Sequence, residues 1–136
     1  MEKFLYSLEK FWKALLTLKE SVDKLYSGEV DEEYIEFIKD SVIQRFEYTV
    51  ELLWKTLKNF LYEVHWLECY SPKSCLKLAN SVWLIDNLEL FFEMIYVRNL
   101  SSHTYNQTQV EEIISEIDKF LPYLQNVYEL LTKSDR

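Results

Sequence analysis

Residues 31–66 read DEEYIEFIKDSVIQRFEYTVELLWKTLKNFLYEVHW, and this stretch decides the fold. Ile35, Ile38, Val42, Phe46, Val50, Leu53, Leu57, Phe60 and Val64 recur every three or four positions, with Leu61 beside Phe60. That period places them on one stripe of an α-helix. Asp31 is the expected N-cap, and Glu32 and Glu33 suit the positive end of the helix dipole. Glu51 and Lys55 are spaced to support each other on another face. No glycine or proline interrupts the run. Such a helix would be about 54 Å long, longer than a small domain is wide. It must bend near Asp40-Ser41, or project and have its end covered by a second subunit.

The flanking segments follow the same pattern. Across residues 2–27, Phe4, Leu8, Phe11, Leu15, Leu18, Val22 and Leu25 are spaced alternately by four and three, a helix-bundle seam. Leu5, Trp12 and Leu16 widen the stripe, and Gly28 stands where a left-handed residue would close the helix. Ser71-Pro72 predicts a third helix, with Ser71 as N-cap and Pro72 at the first position, reaching about Trp83. Asp86 with Glu89 resembles a capping box for a fourth. The Ser101-Ser102 pair after it suggests fraying into a loop. A fifth helix begins near Gln107, and Pro122 should kink or split it.

The chain of 136 residues is expected to be one all-α domain, 1–136. The expected fold is an antiparallel bundle of about five helices around a four-helix up-and-down core. One glycine excludes the glycine-rich loops that cradle nucleotides. The net charge of −8 argues against a general nucleic-acid coat or an anionic membrane as partner, though not against a small basic cleft. No apolar run is long enough to span a membrane. Cys69 and Cys75 could pair, but no signal peptide is evident, and the expectation is a reduced, cytoplasmic protein with inert thiols. Paired Cys/His spacing is missing, so neither a metal nor another cofactor is expected.

The chemistry concentrates in Arg98-Asn99-Leu100-Ser101-Ser102-His103-Thr104-Tyr105, which holds a permanent cation, an amide, an imidazole and a phenol. On a helix Asn99 and His103 share a face, while Arg98 and His103 lie about 140° apart. Arg98 and His103 converge on one ligand only if the helix loosens or the ligand is broad. A phosphodiester is such a ligand. Arg98 could hold its non-bridging oxygens, and His103 could exchange protons near neutral pH. RNA supplies its own nucleophile in the 2′-hydroxyl, so cleavage to a cyclic phosphate needs no metal. The competing reading is structural: a cation at a helix C-terminus often just satisfies the last carbonyls.

Arg98, the polar Asn99, three residues and His103 together resemble the mark of the HEPN superfamily. The trailing Thr104-Tyr105 is similar to the branch whose members pair with a minimal nucleotidyltransferase, either as its substrate-binding proteins or as HepT-type toxins. Gln44-Arg45-Phe46-Glu47-Tyr48-Thr49, Glu51-Leu52 and Trp54-Lys55 resemble the long second helix of the substrate-binding proteins. Ser71-Pro72 and Asp86-Asn87 also fall into place. The resemblance implies a homodimer with two Arg/His sets facing one cleft, and a small nucleotidyltransferase encoded nearby. In active members that cleft cuts RNA without metal. Arg98 would be the transition-state cation, His103 the acid/base, Asn99 the orienting amide and Tyr105 a tyrosine modified with AMP. The alternatives are a non-catalytic substrate-binding subunit and a purely structural helical dimer.

Overall fold

The computed structural model describes residues 1–103 and 106–134. Among these the chain forms five helices and no strand: α1 Glu2–Tyr26, α2 Glu32–His65, α3 Pro72–Ser81, α4 Leu88–Leu100 and α5 Gln107–Ser134. The α1–α2 turn is closed by Gly28 at φ 74°, a conformation that suits a residue without Cβ.

The register of α1 on α2 follows from polar contacts along the seam. The Phe4 N–H donates to Glu63 at 3.0 Å, the Asn59 amide donates to Ser7 Oγ at 3.2 Å, and Arg45 Nη1 donates to the Thr17 carbonyl at 2.8 Å. Rising numbers on α1 meet falling numbers on α2, so the pair is antiparallel. Between these contacts lie Phe4, Phe11, Leu15 and Leu18 from α1, and Phe46, Leu53, Leu57 and Phe60 from α2, all essentially inaccessible to water. The buried Thr56 hydroxyl lies 2.6 Å from the Leu52 carbonyl and 3.2 Å from that of Ser7, so burial leaves it satisfied. α5 closes the third side. Phe120 stacks on Phe46 with ring centres 6.0 Å apart, and Tyr128 stacks on Trp12 at 4.3 Å.

α2 runs through Asp40-Ser41 as one continuous helical element. Its first fully buried side chain is Val42, whereas Tyr34 and Phe37 are 53% and 71% exposed. The N-terminal turns therefore extend past the core. Their contacts are with the first turns of α5, where Gln107 meets Glu36 at 3.4 Å and Lys39 meets Glu111 at 3.5 Å.

Three further boundaries refine the sequence reading. α3 ends at Ser81 rather than near Trp83, because Trp83 takes a left-handed conformation at φ 67°. The Trp83 and Leu84 N–H groups return to the carbonyls of Asn80 and Ala79 at 3.2 and 3.0 Å, which closes the helix. α4 is capped by Asn87, not Asp86. The Asn87 side chain accepts from the Leu90 N–H at 3.3 Å, while the Asn80 amide holds the Ile85 carbonyl at 2.8 Å and delays the helix start. α5 runs through Pro122 without splitting. The carbonyl that the proline leaves unbonded belongs to Asp118, and both residues face water, so the loss is small.

Cys69 and Cys75 form a disulfide, contrary to the expectation of free thiols. The left-handed Trp66 turns the chain at the end of α2, and the capping box of Ser71 with Ser74 starts α3 at once. Together they bring the two Cα atoms within 5.2 Å, a bridging distance. The bridge seals a satellite cluster with Leu61, beside Trp54 and Leu78. Closing so short a loop is worth about 2 kcal/mol on the chain-entropy account. Among the described residues no helix is long and apolar enough to cross a membrane.

Trp83 offers a direct test of the backbone argument. A left-handed non-glycine residue costs about 1–2 kcal/mol, and the Trp83 indole, 88% exposed, returns little through burial. Glycine gives back part of that gain through its freer unfolded chain. Trp83→Gly should therefore raise the free energy of unfolding by about 0.5–1 kcal/mol in urea titrations. A lowered midpoint would mean that the indole holds the α3–α4 corner by contacts outweighing its strain.

Candidate functional site

Arg98 and Asn99 occupy the last turn of α4, and how that turn ends determines what they are free to do. Ser101 and Ser102 do not simply fray. The Ser101 hydroxyl donates to the Arg98 carbonyl at 2.7 Å and the Ser102 hydroxyl to the Asn99 carbonyl at 2.8 Å. The Ser101 N–H returns to Val97 at 2.9 Å, and the His103 N–H to Leu100 at 3.1 Å. The helix end is thus satisfied by serines and backbone. Neither the Arg98 guanidinium nor the His103 ring is needed for it, which removes the structural reading of both side chains as carbonyl caps.

Arg98 is half-buried, and its Nε is shielded from water with no hydrogen-bond partner. Among the described residues it forms no ion pair. Arg45 is different, being tied to the Thr17 carbonyl as a strut between α1 and α2. Arg98 and Asn99 line a groove of about 480 Å³ between α4, the start of α3 and the middle of α2. Ser71 and Lys73 border it from α3, and Glu51 and Trp54 from α2. Glu51 leans toward Lys55 at 3.4 Å, the pair expected from their spacing. The Trp54 indole N–H is also buried without a partner. Two orphaned donors therefore belong to side chains of one groove, an expensive arrangement for a purely structural surface.

His103 lies three residues beyond α4, exposed, and is not among the residues lining that groove. The structure thus brings Arg98 and Asn99 together and leaves His103 outside. Tyr105 lies outside the described residues. Lys73 and Trp54 were not singled out by the sequence as site residues. Only the tight Ser71-Pro72 start, which sets Lys73 in the first turn of α3, signalled the placement. On the side of α4 that faces α5, a separate hollow is lined by Glu93, Glu112 and Glu116, a poor surface for an anion. Among the described residues no three His, Cys, Asp or Glu side chains cluster as metal ligands do.

The sequence profile of the family described as "Nucleotidyltransferase substrate binding protein like" matches residues 6–133. A Haemophilus influenzae protein named probable ribonuclease HepT is 31% identical over 83 residues, 58% of this chain. That match spans 57% of the relative, so the chain covers little more than half of its length. The crystal structure of a Thermus thermophilus protein superposes with a TM-score of 0.77 at 33% identity, over 89% of this chain and 98% of that one. The Haemophilus influenzae protein HI0074, described as having the fold of a substrate binding domain of a nucleotidyltransferase, superposes with a TM-score of 0.75. At 23% identity over 92% of this chain and 98% of the other, HI0074 shares the fold. The profile spans almost the whole chain and the neighbouring structures share its helical fold: this protein belongs to the nucleotidyltransferase substrate-binding-protein-like family.

Proposed function

We propose that the chain is the HEPN subunit of a cytoplasmic nucleotidyltransferase/HEPN toxin–antitoxin pair and acts as a metal-independent endoribonuclease. The observation that carries this reading is the Arg98 guanidinium at the groove, whose buried Nε has no hydrogen-bond partner and which forms no ion pair among the described residues, on a helix whose carbonyls are already satisfied. A preorganised cation matters most where charge develops, as on the oxygens of a pentacoordinate phosphate. Arg98 would hold those oxygens and Asn99 would orient the phosphate. His103 would take the 2′-hydroxyl proton as the oxygen attacks phosphorus, leaving a cyclic phosphate and a 5′-hydroxyl after proton return to the leaving oxygen. His103 stands apart from the groove in one chain, and a symmetric homodimer would place two Arg/His sets across one cleft.

A second reading has its own support. The position of His103 outside the groove, together with the family's description, suits a subunit that binds substrate for a nucleotidyltransferase without cutting it.

Three measurements test these assignments. With EDTA present, the wild type should cleave RNA to cyclic phosphate ends. His103→Ala and Arg98→Ala should each lose roughly 10²–10⁴-fold in rate. Variants as fast as wild type would remove the catalytic reading, and RNA binding without cleavage would favour the second one. Sedimentation at micromolar concentration should give about twice the chain mass of 16.5 kDa; a monomer there would exclude the shared cleft. Incubation with the partner nucleotidyltransferase and ATP should add AMP to Tyr105. The added phosphate would compete for Arg98, and cleavage should fall with occupancy. An adduct confined to another residue would assign control elsewhere.

A further inference from the structure

A hollow of about 860 Å³ lies where the start of α1, the second half of α2 and the 66–71 connection meet. Its volume is within the range of small-ligand sites, about 300–1,000 Å³. Tyr62 and Tyr70 line it and are 50% and 74% exposed, so neither is filling a core. Lys3, Lys55 and Lys58 stand around the same space. Three carboxylates also border it, and two are engaged. Glu63 accepts from the Phe4 N–H at 3.0 Å and pairs with the Met1 amino group at 2.5 Å, and Glu68 accepts from the Tyr70 hydroxyl. Glu2 is exposed. Lys55 leans away to Glu51, whereas Lys3 and Lys58 form no ion pair among the described residues. Lys58 Nζ lies 5.6 Å from the centre of the Tyr70 ring.

An exposed aromatic face beside unpaired ammonium groups fits a ligand that is planar at one end and anionic at the other. The wall is also held in place. Tyr70 follows Cys69, which is bonded to Cys75, and the Leu67 N–H is tied back to Leu61 at 3.0 Å. A backbone anchored in this way limits the freedom that the wall loses on binding. Trp54 borders both this hollow and the Arg98 groove, so a strand crossing the indole would reach Arg98.

We propose that this hollow is a nucleotide subsite, with the base stacked on Tyr70 and Tyr62 and the phosphate held by Lys58 and Lys3. The nucleotide could belong to an RNA strand whose next phosphates reach Arg98, or be a free mononucleotide. Only the strand source rests on the ribonuclease reading above.

The test uses the oxidised full chain and two probes: a fluorescent single-stranded RNA octamer with 2′-O-methyl groups, which cannot be cut, and AMP. Tyr70→Ala should weaken the bound probe roughly 5- to 150-fold, the range for one lost base–aromatic stack. Tyr70→Phe, which keeps the ring and loses only the bond to Glu68, should bind like wild type. Lys58→Glu should weaken binding more at low salt than at high salt. Octamer affinity responding in this way identifies a strand, and AMP affinity responding identifies a free nucleotide. The proposal is overturned if neither probe binds, if Tyr70→Ala leaves affinity unchanged, or if Tyr70→Phe is as weak as Tyr70→Ala. If octamer binding falls with Arg98→Ala but not with Tyr70→Ala, the ribonuclease reading stands and the subsite does not.

Discussion

The antiparallel seam between α1 and α2 is the contact on which the rest of the molecule depends. Each large side chain fully buried there contributes about 1.5–3 kcal/mol. Ordering the backbone costs about 1–2 kcal/mol for every residue, including those that face water. Two helices burying one stripe each leave no surplus. The pair becomes stable only when α5 closes one side with Phe120, Leu124 and Leu131, and α3 and α4 bring Leu76, Phe91 and Met94 into the same core. Those short helices are shaped by the hairpin they cover, and the polar groups at their ends are set by that packing.

The groove gains its chemistry from this arrangement. The chain is acidic overall, which disfavours long-range collection of polyanions. Arg98 and Lys73 instead border one groove because the end of α4 packs beside the start of α3. A cation at such a corner acts over a short range and on a ligand already in contact. Selectivity in such a protein rests on fit at a few positions more than on long-range attraction.

Much of the fold was legible because its signals are periodic. The seam residues from Phe4 to Val22 and from Val42 to Leu61 are buried almost as their spacing requires, and Gly28 and Ser71-Pro72 mark their boundaries. The exceptions have local causes. Trp83 in a left-handed cap carries no compositional signal, and Asp86 and Asn87 are equally good caps until Ile85 is anchored. The disulfide was hidden because cysteine pairing depends on the turn at Trp66, which spacing does not encode. At the candidate site, Arg98 and Asn99 were legible from the motif. Trp54 and Lys73 were not, since they reach the groove through contacts among three helices.

The projecting start of α2 gives one geometrically continuous helix two thermodynamic regimes. Amide hydrogens from Val42 to Leu61 belong to turns anchored in the core and would exchange chiefly when the whole protein opens. Those before Asp40 are held by the half-buried Ile38 at the core's edge and by polar contacts to Glu111 and Gln107, and would exchange more readily, through local fraying. Protection would therefore fall steeply along a single helix with no break in its hydrogen bonding. The frayed end rests on the first turns of α5, directly after the segment that carries His103. A partner that gripped α2 there would stiffen the entry to α5 without touching the groove.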